Sequence, residues 1–480
     1  MVVIANIDDH WATAYVLTEW TIRLTMVALV PLRRSPEAAR SWLLLLFFLP
    51  IPGLLLYLLI GRPTFPKWRA RRFASLPRLF SPGIEALKAG ATAARVELAD
   101  RHQPIATMTR NLGRMPVIGG NRLEILTDYA GVVDRLVADI DAARDHVHVL
   151  VYIFADDATG GRLIAALARA AARGVRCRVL IDALGSRPWA ANVIAALRAQ
   201  GVQAQEALPI RPLRWRPARA DLRNHRKLTV IDGHIVYVGS QNWVDADFKP
   251  GVVNVELMAR VEGPLAASVQ TVFLSDWYME TEELPAGANL FPPPQPVGDT
   301  ALQLLPSGPD YPVAGAERLT VALIYAARRR VIITTPYFIP DEGLIEGLQT
   351  AVLRGVEVVL IVSLVQDQRL VGLAQRSFYT ELLRSGVSIY LYRGRLLHAK
   401  HLTVDDSIAS IGSSNVDIRS FTLNAEANLI VYDPAAIETL ATIQAGYLAN
   451  SQKLELDVWG ERPLYRKLGE NIARLVSPLL

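Results

Sequence analysis

Cysteine is nearly missing from this chain. Cys177 is the only one in 480 residues, so no intramolecular disulfide and no thiolate metal cluster can form. It lies in the strand-like word VRCRVLID and reads as a packing residue. A glycine-rich loop ending in Lys-Ser or Lys-Thr is also absent, which leaves no nucleotide-phosphate site of that type. Histidine is scarce, at eight residues. Long apolar runs are confined to the N-terminal region, where WLLLLFFLPIPGLLLYLLI covers Trp42 to Ile60 without a charge. That run is long enough to cross a bilayer, and it is too long, and lacks the small-residue cleavage site, to read as a signal peptide.

Against this background two stretches stand out. NHRKLTVIDGHIVYVGSQN carries His225, Lys227, Asp232, Gly239, Ser240 and Asn242; LHAKHLTVDDSIASIGSSN carries His398, Lys400, Asp405, Gly412, Ser413 and Asn415, all at the same offsets from the histidine. Each block reads as strand, tight turn, strand. Residues two apart on a strand share a face, so each histidine and its lysine are expected to point the same way. The glycine permits close backbone approach, and Ser with Asn offers neutral hydrogen-bond donors. Two such half-sites converging on one point would suit a tetrahedral oxyanion such as phosphate.

The pattern His-x-Lys-x4-Asp followed by Gly-Ser-x-Asn, twice per chain, resembles the phospholipase D superfamily. The words RNHRKLTVIDG, LMARVEGP, TPYFIPDEGL, LLHAKHLTVDDSIASIGSSNVDIRSFTLNAEANLIVYD and RLVSPLL resemble bacterial cardiolipin synthases of that type. The resemblance implies an α/β fold of two duplicated domains, mixed sheets flanked by helices, sharing one active site. It implies transfer of a phosphatidyl group between two phosphatidylglycerol molecules, giving cardiolipin and glycerol through a phosphatidyl-histidine, with His225 as nucleophile and His398 as acid. His225, Lys227, Asp232, His398, Lys400 and Asp405 are then catalytic, and Ser240, Asn242, Ser413 and Asn415 bind or support the phosphate. Glu256 and Glu426, at similar but unequal distances after the histidines, are either ordinary strand glutamates or, by resemblance, supports for the imidazole rings.

No metal or cofactor is expected, because lysines beside His225 and His398 would repel a cation. A phospholipase D-type hydrolase or another phosphatidyltransferase would carry the same motifs. A nuclease would have no need of the apolar run, and a decayed scaffold would have lost a histidine or lysine from one copy.

The order strand, helix, strand, motif recurs in both halves, with Tyr152 answering Tyr337 and Arg173-Gly174-Val175 answering Arg354-Gly355-Val356. The expected domains are a membrane anchor over 1–61 (spans 11–31 and 42–60), a basic connector over 62–122, a first domain over 123–285, a proline-rich linker over 286–300 and a second domain over 301–480. The earlier apolar stretch holds Glu19 and Arg23 one helical turn apart and is either a crossing or an interfacial helix. Net charge +5 suits an anionic membrane or nucleic acid; the apolar anchor favours the membrane and excludes nucleic acid as the expected partner. Arg62, Lys67, Arg69, Arg71, Arg72 and Arg78 outnumber Arg33, Arg34 and Arg40, which favours a body on the cytoplasmic side; the resemblance implies a multi-pass protein of the bacterial inner membrane. Arg211, Arg214, Arg216, Arg219 and Arg223 around Trp215 form either a solvated loop or a headgroup-binding edge. His146 and His148 are expected to pack inside a buried strand, and His234 and His401 fall at unmatched positions. Oligomeric state is not legible.

Overall fold

The computed structural model describes residues 2–34, 36–61, 67–79, 85, 87–89, 96–209, 221–285, 289–311 and 313–475. Arg62, the cluster from Arg211 to Arg219 with Trp215, the first residues of the linker and the terminal VSPLL lie outside them.

Both halves contribute to one continuous 16-stranded sheet. In the first half, parallel strands His146–Val151, Arg176–Asp182 and Gln203–Ala207 adjoin an antiparallel set, Leu228–Ile231, Ile235–Gly239 and Met258–Glu262. The second half repeats this with Arg330–Thr334, Glu357–Ser363 and Ser388–Tyr392, then His401–Val404, Ile408–Gly412 and Asn424–Val431. The halves join where Val117–Leu126 pairs antiparallel with Thr300–Ser307. That joining strand begins at Val117, six residues before the expected start of the first domain. An apolar core spans the junction, from Leu228 and Val238 on one side to Leu429 and Ala427 on the other. The two duplicated units therefore share a core and are not beads on a linker. Helices such as Ala158–Ala172 and Glu342–Leu353 cover the sheets, each capped at its N-terminus by an aspartate, Asp157 or Asp341.

The motif strands turn at Asp232-Gly233 and Asp405-Asp406, all four residues with positive φ (52°, 65°, 51°, 53°). Asp tolerates this conformation because its short side chain bonds locally. Each aspartate then receives backbone N–H groups from the segment leading into the neighbouring strand: Arg144, Asp145 and His146 on Asp232; Arg328, Arg329 and Arg330 on Asp405.

The N-terminal region departs from expectation. Residues 42–60 do not form one helix. Pro36–Phe48 ends at Leu49, and Pro50–Ile60 folds back, so that Trp42 meets Tyr57 edge-on at 5.2 Å and Gly53 lies against Leu46. Pro50 cannot donate to the preceding turn, and Pro52 and Gly53 permit the close return. Thirteen and eleven residues reach about 20 Å or less each, short of a ~30 Å hydrocarbon core. The preceding helix, Val2–Leu29, carries the Glu19–Arg23 pair, and Arg23 also donates to the Phe47 carbonyl. Among the described residues no helix is long and apolar enough to cross a membrane. Trp11, Trp20, Leu24, Phe47, Phe48, Leu58 and Leu59 are exposed on this unit.

The basic connector is also reassigned in part. Arg69, on the helix Lys67–Leu79, is buried and pairs with Glu280 at 2.8 Å, while Arg72 donates to the Met279 carbonyl. These cations anchor the connector to the first domain's helix Ala266–Thr281, so they are not available to face lipid.

Candidate active site

Each histidine leaves its β-strand pair at the mouth of a cavity of about 670 Å³ lined from both halves, by Tyr152, His225 and Asn242 on one side and Tyr337, His398 and Asn415 on the other. Gly239 and Gly412 let this happen. A Cβ at either would lie 2.4 Å from a carbonyl of the adjacent strand, that of Leu257 or Ala427, so only glycine fits.

The carboxylate supports cross between halves. His225 Nδ1 lies 3.0 and 3.1 Å from the two oxygens of Glu426, and His398 Nδ1 lies 2.6 Å from Glu256 Oε1. Both glutamates are fully buried. An ionised carboxylate can only accept, so each Nδ1 carries the proton and each Nε2 is left to act. Burial alone would raise the two carboxyls, but the histidines opposite and the lysines nearby hold both below the usual range. Burial in turn lowers His225 to about 4 and lowers His398, against the pull of their glutamates. Both rings are therefore neutral at pH 7.

The motif residues 225–227 and 398–400 lie between strands and not on one, and Lys227 and Lys400 are buried behind the cavity lining, each ammonium donating to the carbonyl of its own histidine. Burial lowers Lys227 to about 7 and Lys400 to about 8, and the two cations oppose each other. The lysines thus supply a positive field from within the wall, which an arriving phosphate would reinforce by restoring their protons.

Other expected site residues take different places. Asp232 and Asp405 are turn caps at the far end of their strands and do not line the cavity; as catalytic candidates they are corrected to structural ones. Ser240 Oγ donates to the Leu257 carbonyl and accepts from the Leu257 N–H, and Ser413 Oγ donates to Glu426 Oε2, so the serines brace the supporting strand and not the phosphate. Asn242 lines the cavity with Oδ1 fixed by the Ile153 N–H, which turns its NH₂ group to the other side. His146 and His148 pack inside as expected, His148 stacked on Phe273 at 4.5 Å. His401 is buried against Gln444 and Tyr447. Sequence reasoning missed Arg226, the residue between His225 and Lys227. Its Nη1 donates to both Asp276 oxygens at 2.7 and 2.5 Å and its Nε donates to the Glu426 carbonyl, tying the first motif to the second half's carboxylate strand. Ala399 occupies its place in the second copy, so the repeat gave no flag.

The buried histidines have a measurable consequence. His146, His148, His225, His398 and His401 are all lowered by burial from the ordinary value near 6.5. Below about pH 6.5 the unfolded chain binds protons that the folded chain refuses, so stability falls with acid, by up to ~1.4 kcal/mol per pH unit per histidine. Asp182, Asp310 and Asp417, raised by burial, act in the opposite sense but are fewer. The melting temperature is expected to drop between pH 7 and pH 5; an unchanged or higher value at pH 5 contradicts the neutral assignment.

A sheet duplicated about its middle, with paired histidines and crossed glutamates at the join, defines a phospholipase D-like protein. The family described as "Cardiolipin synthase, PLD-like domain" matches residues 136–277 and 320–445, and "Phospholipase D-nuclease N-terminal" matches 21–62. The chain belongs to the cardiolipin synthase family of phospholipase D-like proteins. It is 35% identical to Cardiolipin synthase A of Salmonella paratyphi B and of Salmonella typhimurium, over 98% of this chain and 100% of each relative. The crystal structure of phosphatidylserine synthase from Haemophilus influenzae shares the fold, with a TM-score of 0.60 at 15% identity over 78% of this chain and 99% of that one.

Proposed function

We propose that this protein is a cardiolipin synthase that joins two phosphatidylglycerol molecules, releasing glycerol, by double displacement at the paired histidines. The observation that carries the reading is the crossed pairing of His225 with Glu426 and His398 with Glu256 in one cavity, which presents two Nε2 atoms to one phosphodiester. His225 Nε2 attacks phosphorus as the bond to the glycerol oxygen breaks, and His398 gives its Nε2 proton to that oxygen. The second phosphatidylglycerol then loses its hydroxyl proton to His398 as its oxygen attacks phosphorus and the phosphorus–nitrogen bond breaks. Both histidines return to their starting protonation. His398 must be protonated at the outset, and the phosphodiester's negative charge supplies the missing stabilisation. Glu426 and Glu256 stabilise the positive charge that each ring carries in turn.

We further place the protein at the bacterial inner membrane, with its body on the cytoplasmic face. The exposed apolar side chains of the N-terminal unit and the lipid nature of the substrate support this. No nucleic acid is required.

Purified protein in phosphatidylglycerol vesicles is expected to yield cardiolipin and glycerol in equal amounts without added nucleotide or metal. Phosphatidate and glycerol as the sole products would make it a hydrolase.

A further inference from the structure

The two halves match at the histidines but diverge in the wall above them. Two residues beyond Asn242 stands Val244, whereas two beyond Asn415 stands Asp417. Asp417 is buried, lines the cavity and is held firmly: its strand pairs with Phe338–Ile339, and its Oδ1 accepts from the Ser420 N–H at 2.6 Å. Beside it on the same cavity are two buried amides, Asn415 at 6% and Asn424 at 5% exposure, whose Oδ1 atoms have no partner. A buried acceptor without a donor costs roughly 1–3 kcal/mol, which a ligand bearing donors would recover. A phosphate has only acceptors to offer. A polyol has O–H donors at the spacing of neighbouring carbons.

We propose that the wall formed by Asn415, Asp417 and Asn424 binds the hydroxyl groups of the glycerol-type alcohol that takes up the phosphatidyl group, and so selects it over water and simple alcohols. The proposal rests on the phosphatidyl-transfer reading above. The fixed backbone of Asp417 orients the acceptor without a loop having to close. A site built to bond hydroxyls rejects a ligand that lacks them far more strongly than an apolar site rejects one with an extra group.

The test uses the full-length enzyme in mixed micelles with phosphatidylglycerol as donor and isotope-labelled glycerol competing against 1-propanol at equal concentration. The ratio of labelled phosphatidylglycerol to phosphatidylpropanol reports only the discharge step and is independent of how fast the donor reacts. The wild type is expected to favour glycerol by at least about tenfold, and Asp417→Val or Asn424→Ala to bring the ratio within about twofold of unity. Asp417→Asn keeps the helix cap and must also lower the ratio, which covers the case that Asp417→Val does not fold. A wild type without preference, or folded variants that keep it, overturns the proposal. Glycerol preference without cardiolipin from phosphatidylglycerol alone would sustain this subsite and defeat the broader function; cardiolipin without glycerol preference would do the reverse.

Discussion

His398→Ala is expected to reduce cardiolipin formation at least about 1,000-fold, and His225→Ala by as much or more, because each removes a partner from both displacement steps. The two losses have different causes that a changed leaving group separates. A phosphatidyl donor carrying p-nitrophenol departs without a proton, so it bypasses the acid but still requires the nucleophile. With that donor, His398→Ala should release a burst of nitrophenol and accumulate an acid-labile phosphatidyl adduct on His225, since discharge lacks its base. His225→Ala should give neither burst nor adduct. Adduct on His398 in the His225→Ala protein would reverse the assignment, and turnover without adduct in any variant, with single-displacement kinetics, would end the covalent mechanism. Melting temperatures should stay within a few degrees, because both imidazoles border the cavity and neither fills the core.

The candidate site was legible because duplication acts as an internal control. A polar residue kept at the same offset in two copies marks a shared requirement, and the structure brings His225 and His398 to one cavity with Lys227 and Lys400 buried beside them. The same logic overreached at Asp232 and Asp405, which repeat because both turns need a residue that tolerates positive φ and caps the next strand. It was blind to Asp417, whose counterpart Val244 has no charge, and to Arg226, whose counterpart is Ala399. Pairing of the glutamates across halves could not be read from spacing, since Glu256 and Glu426 reach their histidines through the joining of two sheets, a contact between residues 142 and 201 positions apart. In the anchor, hydropathy registered the apolar run but not its direction: Pro50 and Gly53 turn it back at Leu49, and hydropathy averages over that turn. Arg69 and Arg72 counted as juxtamembrane charge in the sequence, yet Glu280 and the Met279 carbonyl hold them against the protein, because charge counts carry no information about partners.

The crossed glutamates make the second large prediction, and the one that most directly tests the geometry. Glu426→Gln and Glu256→Gln keep volume and remove charge, so each should leave its histidine with a wrong or unstabilised tautomer and cost roughly 10²- to 10⁴-fold in turnover. The direction of the damage must cross the halves. Because Glu426 serves His225, Glu426→Gln should slow adduct formation from the nitrophenyl donor. Because Glu256 serves His398, Glu256→Gln should leave that burst nearly intact and slow the discharge of the adduct to phosphatidylglycerol. Pairing within each half would give the opposite result, with Glu256→Gln suppressing the burst. Stopped-flow release of nitrophenol together with quantified adduct distinguishes the two outcomes in a single experiment. A further requirement follows from the linkage: the adduct is a positively charged N-phosphoryl imidazole, stabilised by Glu426 at 3.0 Å. In Glu426→Gln, whatever adduct forms should therefore discharge faster than in the wild type, even as it forms more slowly. A structural defect would slow both steps alike, so equal slowing of formation and discharge would show that Glu426 acts through folding and not through His225.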